Sequence, residues 1–249
     1  MSVLKNVFNE TNRIMKNKYL FTLSILTVFA VAYCYPQNNS LNFSVDKEKI
    51  TIPSADFAPP WTVETWMYKD GAGVGPYQYL ASGGGGFSSG LRIEQASTKE
   101  IGVTVGFTNH SFGYTAVTGE WSHIAITCDG TDMFLYVDGE QEGTINSSIN
   151  APMGVIGNFP FNGHFIGQLD EYRVWNKALT SAQIEAMMTQ EIEQNVTAVR
   201  GSDDGLDVSG LNWADLVLYY KFNESSGDIA TDSSSTGDDG VGDDIDNDD

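Results

Sequence analysis

Three aspartates near the C-terminal end, Asp244, Asp246 and Asp248, alternate with Ile245 and Asn247. Carboxylates at every second position open calcium-binding loops, because Ca2+ gathers about six to eight hard oxygen ligands. The chemistry they predict is cation binding. A block of like charge also has a plainer reading as a solvated, self-repelling tail, and the two are compatible: disorder without Ca2+ and partial order with it. Elsewhere the residue types for catalysis occur without the spacing. His110, His123 and His164 show no zinc-type spacing. Gly83–Gly86 leads into no Gly-Lys-Ser/Thr and opens no helix, so it reads as a loop rather than a phosphate cradle. Asp170 and Glu171 are adjacent, which on a strand places them on opposite faces. Glu140 and Glu142 follow a hairpin turn, where solvation accounts for them. No Ser-His-Asp or Cys-His set stands out. The sequence predicts a protein that is not an enzyme.

Charge narrows the partners. The 249 residues hold 13 Lys and Arg against 33 Asp and Glu, a net charge of −20. Residues 224–249 are rich in Asp and hold no Lys or Arg. Binding to phosphates is driven by Lys and Arg, so nucleic acid and anionic membrane surfaces are poor partners. Metal cations and neutral ligands remain.

Residues 19–32, YLFTLSILTVFAVA, form an apolar run behind Lys16 and Lys18. As a helix the run spans about 21 Å, short of a bilayer core of about 30 Å. It ends in Ala30-Val31-Ala32, a small-x-small cleavage pattern. Residues 1–32 therefore read as a secretory signal peptide, with a translation start at Met15 and an uncleaved anchor as alternatives. The protein is expected to be secreted or held at the cell surface, with no membrane insertion once the signal is cut. Export permits a disulfide, but Cys34 and Cys128 are the only cysteines. Two unpaired thiols are expected, with a Cys34–Cys128 bridge as the alternative.

The elements that must position any site are mostly strands. Short β-type runs fall at residues 41–43, 49–52, 62–68, 77–81, 90–94, 101–107, 121–128, 133–137, 141–145, 154–157, 165–175 and 216–222, separated by Gly, Asp, Asn and Pro. Asp138-Gly139 lies between two of them and predicts a type I′ hairpin. Thr180 and Gln183 form a capping box ahead of Ile184, Ala186, Met187 and Met188, which predicts one short helix. The fold class is all-β: a jelly-roll sandwich of two antiparallel sheets with that helix. Trp66, Trp121 and Trp175 read as packing residues, His123 as a hydrogen-bonded structural histidine, and Arg173 with Glu171 as an ion pair.

Three segments together resemble the laminin-G-like jelly-roll family, relatives of pentraxins and of concanavalin-type lectins and glucanases. The first is Leu41-Asn42-Phe43, followed by Ile50-Thr51-Ile52-Pro53 and Thr62-Val63-Glu64-Thr65-Trp66. The second is Gly119-Glu120-Trp121-Ser122-His123-Ile124-Ala125, through Asp129-Gly130 to Leu135-Tyr136-Val137-Asp138-Gly139. The third runs from Phe165-Ile166-Gly167-Gln168-Leu169-Asp170-Glu171-Tyr172-Arg173-Val174-Trp175-Asn176 to Ala178-Leu179-Thr180. Their order and spacing match the family over residues 40–222, which sets a domain there and an acidic calcium-type tail at 223–249. The segment from Tyr219 to Ser234 is similar to a stretch that often accompanies the domain and helps hold calcium. The resemblance implies Asp170 and Asp232 as a calcium pair, although Ser235 and Thr236 replace the family's usual Gly and Asn. The string from Gly237 onward resembles the start of a thrombospondin type 3 repeat, which implies further domains in a longer polypeptide. Glucanases of the superfamily use a Glu-x-Asp-x-x-Glu run, and none occurs here.

The family resemblance implies a non-catalytic recognition module that binds a glycan or an extracellular protein, with Ca2+ as the assisting ion. The alternative is a structural spacer or adhesion domain. Tyr77, Tyr79, Phe87, Phe112, Tyr114, Phe159 and Phe161 lie off the strand pattern, where they could stack on sugar rings. Exposed aromatics with polar neighbours would indicate a lectin-like face, and buried ones a spacer.

Overall fold

The computed structural model describes residues 39–44, 48–71, 75–84, 89–158 and 163–243. The expected signal peptide, Cys34, Phe87, Phe159, Phe161, Asp244, Asp246 and Asp248 lie outside the described residues. Strands are numbered along the chain.

One sheet has seven strands. Its path runs β1 (Leu41–Phe43), β12 (Gly167–Trp175), β3 (Trp61–Lys69), β8 (Trp121–Cys128), β9 (Met133–Val137) and β10 (Glu140–Ile145). The seventh, β16 (Leu216–Tyr220), pairs with the second half of β12. The other sheet has eight strands in the order β17 (Ile229–Ala230), β18 (Gly240–Asp243), β2 (Lys49–Thr51), β11 (Val155–Ile156), β4 (Gln78–Ser82), β5 (Ser89–Glu94), β6 (Gly102–Val105) and β7 (Thr108–Ser111). All pairings are antiparallel, and the two sheets form the expected jelly-roll sandwich.

Alternation along the strands builds the core. Trp61, Val63 and Met67 of β3 meet Ile124, Ile126 and Cys128 of β8 between the sheets, with Leu80, Leu91, Ile93 and Val103 from the opposite sheet. Each such side chain contributes about 1.5–3 kcal/mol on leaving water. Cys128 is a free, buried thiol. The β9–β10 turn is the type I′ hairpin the sequence predicts, with φ of 49° at Asp138 and 84° at Gly139.

A second apolar cluster lies on the outer face of the seven-stranded sheet. Helix α1 (Ser181–Met187) carries the predicted capping box and buries Ile184 and Met187. These pack with Trp175, Tyr219, Ile192, Val199 and Leu211. The last three come from a three-stranded sheet, β13 (Ile192–Asn195), β14 (Ala198–Gly201) and β15 (Asp207–Asn212), that sequence reading left out.

Two local features differ from the sequence-based expectation. The alternation of β12 breaks at Glu171, whose φ is 53°. Asp170 pairs with Trp66 but Arg173 with Glu64, so β12 holds one residue more than β3 in this interval. That bulge puts Tyr172 and Val174 in the inter-sheet core, and Arg173 and Trp175 outside. Second, the sandwich does not end at Phe222. Residues 229–230 and 240–243 form β17 and β18 at the edge of the eight-stranded sheet, with Lys49 2.7 Å from Asp243.

Candidate functional site

The carboxylate of Asp232 organises its own loop. Its Oδ1 accepts from the N–H groups of Tyr219 and Ser234, both at 2.9 Å. Its Oδ2 accepts from Ser234 Oγ at 2.8 Å, Thr236 Oγ1 at 2.7 Å and Asp238 N at 2.9 Å. Burial alone would raise its pKa, and these donors outweigh that to leave it lowered. The same two hydroxyls lie 3.2 and 2.8 Å from the Val217 carbonyl, and each has one proton to give, so Asp232 Oδ2 shares them with that carbonyl. Among the described residues no three His, Cys, Asp or Glu side chains converge on one point.

Asp170 lies elsewhere in the hydrogen-bond pattern, with Oδ1 accepting from the Glu171 N–H at 2.9 Å. It is 4% exposed. Burial, and next the charge of Glu171, push its carboxyl up to about 8. No hydrogen bond joins it to Asp232 among the described residues.

Beside Asp170 sits a buried charge cluster. Arg173 Nη2 donates to the Glu171 carboxylate and, at 2.8 Å, to the Gln190 carbonyl. Its Nη1 donates to the Met187 carbonyl at 3.2 Å and lies 3.7 Å from Glu64. Trp175 Nε1 donates to Glu64 at 3.0 Å, and Tyr219 Oη to Glu171. Burial raises the Glu64 carboxyl, and Arg173 only partly offsets it. His123 stands edge-on to Trp66, and burial holds it neutral, with a pKa lowered to about 3. Its Nδ1 has no hydrogen-bond partner and its Nε2 lies 3.7 Å from Glu64 Oε2, beyond hydrogen-bond reach, so among the described residues it is a packed imidazole and not the hydrogen-bonded one expected. Arg173 and Trp66, whose Nε1 donates to Met188 O at 2.5 Å, satisfy carbonyls at the end of α1. The cluster is a clamp on the helix.

The outer face of β4–β7 is built differently. Leu91, Ile93 and Val103 point into the core, so Gly90, Arg92, Gly102 and Thr104 face outward. Tyr79 pairs with Arg92, and Thr104 with Asn109. The Arg92 guanidinium lies 4.3 Å from the Tyr77 ring centroid and 4.8 Å from that of Tyr79. Its Nη1 donates to Gln95 Oε1 at 3.0 Å and to Asn109 Oδ1. A Cβ on Gly90 would come 2.7 Å from the Tyr79 ring, and one on Gly102 would overlap the Gln95 amide and the His110 carbonyl. The two glycines let a ring and an amide lie flat on the sheet. Thr104 Oγ1 and Arg92 Nε are buried without partners.

Of the aromatics singled out from sequence, Phe112 joins the core and Tyr114 packs against it. Tyr77 is half-buried and Tyr79 buried, their centroids 6.3 Å apart on this face. Sequence reading named the two tyrosines and missed Arg92 and Thr104. The one available signal was the pairing of a polar residue with glycine at alternate strand positions.

Residues 43–185, more than half of the chain, match the profile of the concanavalin A-like lectin/glucanases superfamily. The chain belongs to this superfamily. Among solved structures it is similar to a protein from Bacteroides ovatus described as carbohydrate-binding, with 23% identity and a TM-score of 0.59. That match covers 83% of this chain and 58% of the other, so the chain spans little more than half of that relative's length. A heptameric pentraxin of Limulus polyphemus matches at 16% identity and TM-score 0.47, over 61% of this chain and 82% of that one. Domain 4 of an extracellular arabinanase from Geobacillus stearothermophilus, in complex with arabinotriose, matches at 16% and 0.46, over 55% and 69%. No curated protein matches. Among the described residues no helix is long and apolar enough to cross a membrane.

Proposed function

We propose that this superfamily member is a non-catalytic recognition module acting outside the cytoplasm, and that it binds a saccharide on the outer face of β4–β7. The observation that carries this is the unpartnered Thr104 hydroxyl, 5% exposed, on a face that also carries Tyr77 and Tyr79. A buried hydroxyl without a partner costs about 1–3 kcal/mol. A sugar supplies hydroxyls to meet it and C–H faces to lie on tyrosine rings. The non-catalytic reading is supported by Glu64 and Glu171, which are committed to Trp175, Arg173 and Tyr219 at the clamp on α1. Secretion rests on the sequence of residues 1–32.

Thr104→Val tests the assignment, because it removes the hydroxyl and keeps the shape. The purified chain is screened on a broad glycan array, and the wild type and variant are then titrated with the best saccharide. The expected result is binding that Thr104→Val weakens about tenfold or more, with thermal stability unchanged or raised. Absence of saccharide binding, or binding untouched by both Thr104→Val and Tyr77→Ala, would overturn the proposal and favour a spacer or protein-adhesion role.

A further inference from the structure

We infer that the saccharide bound at β4–β7 carries a carboxylate, held by the Nε–Nη2 edge of Arg92; the inference rests on the saccharide reading of this face. Eight Lys and Arg fall within the described residues. Lys49, Lys69, Lys99, Arg173, Lys177, Arg200 and Lys221 each have a carboxylate within ion-pair distance. Arg92 is the exception. It is 5% exposed in a chain of net charge −20, yet among the described residues no carboxylate lies within ion-pair distance of this buried cation. A buried unpaired charge is among the costliest features a fold can keep.

The geometry gives the missing partner a shape. A guanidinium has two forked edges besides its single donors. Nη1 of Arg92 is taken by Gln95 and Asn109. On the opposite edge Nε is buried without a partner, and Nη2 makes no hydrogen bond among the described residues. Two parallel N–H donors at this spacing match the two oxygens of a carboxylate, the bidentate pairing for which arginine is suited. The rings of Tyr77 and Tyr79 fix the guanidinium plane from the side, so little freedom is lost on binding.

The surroundings favour an anion over a cation or a neutral group. Glu94, two residues along the same strand face, is shared by Lys69 at 3.1 Å and Lys99 at 2.5 Å. Burial would raise its carboxyl, and the two lysines outweigh that, so it stays ionised and fully engaged. Glu100 is held by Ser111 Oγ. Glu94 is thus committed to two lysines and Glu100 accepts from Ser111, and neither lies within ion-pair distance of Arg92. A neutral sugar would meet the Thr104 hydroxyl but would leave Arg92 uncompensated.

The test uses a panel of uronate oligosaccharides, of galacturonate, glucuronate and guluronate type, each beside its carboxyl-reduced neutral counterpart. Sulfated oligosaccharides form a third arm. Binding to the full chain is measured by titration calorimetry. At least one uronate is expected to bind about tenfold or more tighter than its reduced form. Arg92→Gln should abolish that preference, and Arg92→Lys, which keeps the charge but not the fork, should lose most of it. Circular dichroism and melting of both variants show whether they are folded, and Arg92→Lys carries the test if Arg92→Gln is not. Equal binding of acid and reduced forms, with loss on Thr104→Val, would overturn the carboxylate and leave the saccharide reading standing. Preference for sulfate over carboxylate would overturn it too. No binding to any arm, or to any neutral saccharide on the array, would overturn both.

Discussion

Replacing Asp170 by Asn keeps an oxygen to accept the Glu171 N–H and removes a titrating group from the buried bulge. Burial and the charge of Glu171 raise Asp170 from 3.8 to about 8 in the folded chain. Between those values the folded chain holds a proton that the unfolded chain has released. Stability therefore falls as pH rises, by about 1.4 kcal/mol per pH unit. His123 acts in the opposite sense. Burial lowers it from 6.5 to about 3, so below 6.5 the unfolded chain binds a proton that the folded chain does not, and stability rises with pH there. Of these two groups, the slopes cancel from about pH 4 to 6.5 and only that of Asp170 remains above it, while the raised Glu64 carboxyl adds a falling slope common to both proteins. From pH 6.5 to 8 the wild type should lose roughly 2 kcal/mol through this group, or about 4–8 °C in Tm. Asp170→Asn lacks this loss, so its stability should stand progressively above that of the wild type as pH rises. Urea denaturation of both proteins at pH 5, 6.5 and 8 reads the difference directly. It should widen steadily in favour of the variant as pH rises. Parallel curves across that range would refute the reasoning, because they would mean that Asp170 titrates normally.

Two further substitutions probe the rest of the chain. Gly102→Ala forces a Cβ into the Gln95 amide and the His110 backbone, and should cost about 1–3 kcal/mol in chemical denaturation while weakening saccharide binding. An unchanged midpoint would show that β7 and Gln95 yield freely. Asp232→Asn offers fewer acceptor sites to the three backbone N–H groups and two hydroxyls around it and should destabilise by about 1–3 kcal/mol equally in EDTA and in millimolar Ca2+. A loss confined to the calcium-containing sample would show that Asp232 is a metal ligand after all.

What could be read from the sequence was local. The Asp138-Gly139 hairpin and the Thr180–Gln183 capping box are each set by a few neighbouring residues, and both form as expected. Strand periods placed the sandwich for the same reason. The bulge at Glu171 was illegible, since one inserted residue leaves no compositional mark yet inverts which side chains of β12 face the core. It also brings Glu171 to Arg173 and Tyr219 on the outer side, where Asp170 stands opposite Trp66, against the expectation of opposite faces for the two acids. Strand β18 was hidden by its acidic surroundings. Its place depends on Gly240, which lets the backbone approach Ile50 and Tyr220, residues far away in the chain. The aromatics divided for tertiary reasons too: Phe112 lies over Gly143 and enters the core, while Tyr79 lies over Gly90 on the outer face.

Unpartnered polar atoms occur on both outer faces, and their surroundings decide which of them point to a ligand. Glu64 Oε2, His123 Nδ1 and Arg173 Nε lack hydrogen bonds on the seven-stranded sheet. There Arg173 is balanced by Glu171 and Glu64, and its other donors hold the end of α1. The cost on that face is a few imperfect hydrogen bonds within a neutralised cluster, and fixing the helix offsets it. On β4–β7 the imbalance is a whole charge. Arg92 has aromatic faces and neutral amides around it, no carboxylate within ion-pair distance among the described residues, and half-buried Tyr77 beside it. Gln95 and Asn109 hold Nη1 so that the opposite edge stays unbonded, which does nothing for the isolated fold. An arrangement that is unfavourable for stability and ordered in geometry is what a preorganised anion site requires. The same substitution should therefore separate the two roles: Arg92→Lys would cost little stability and most of the acidic-sugar preference, whereas removing Arg173 would unseat α1.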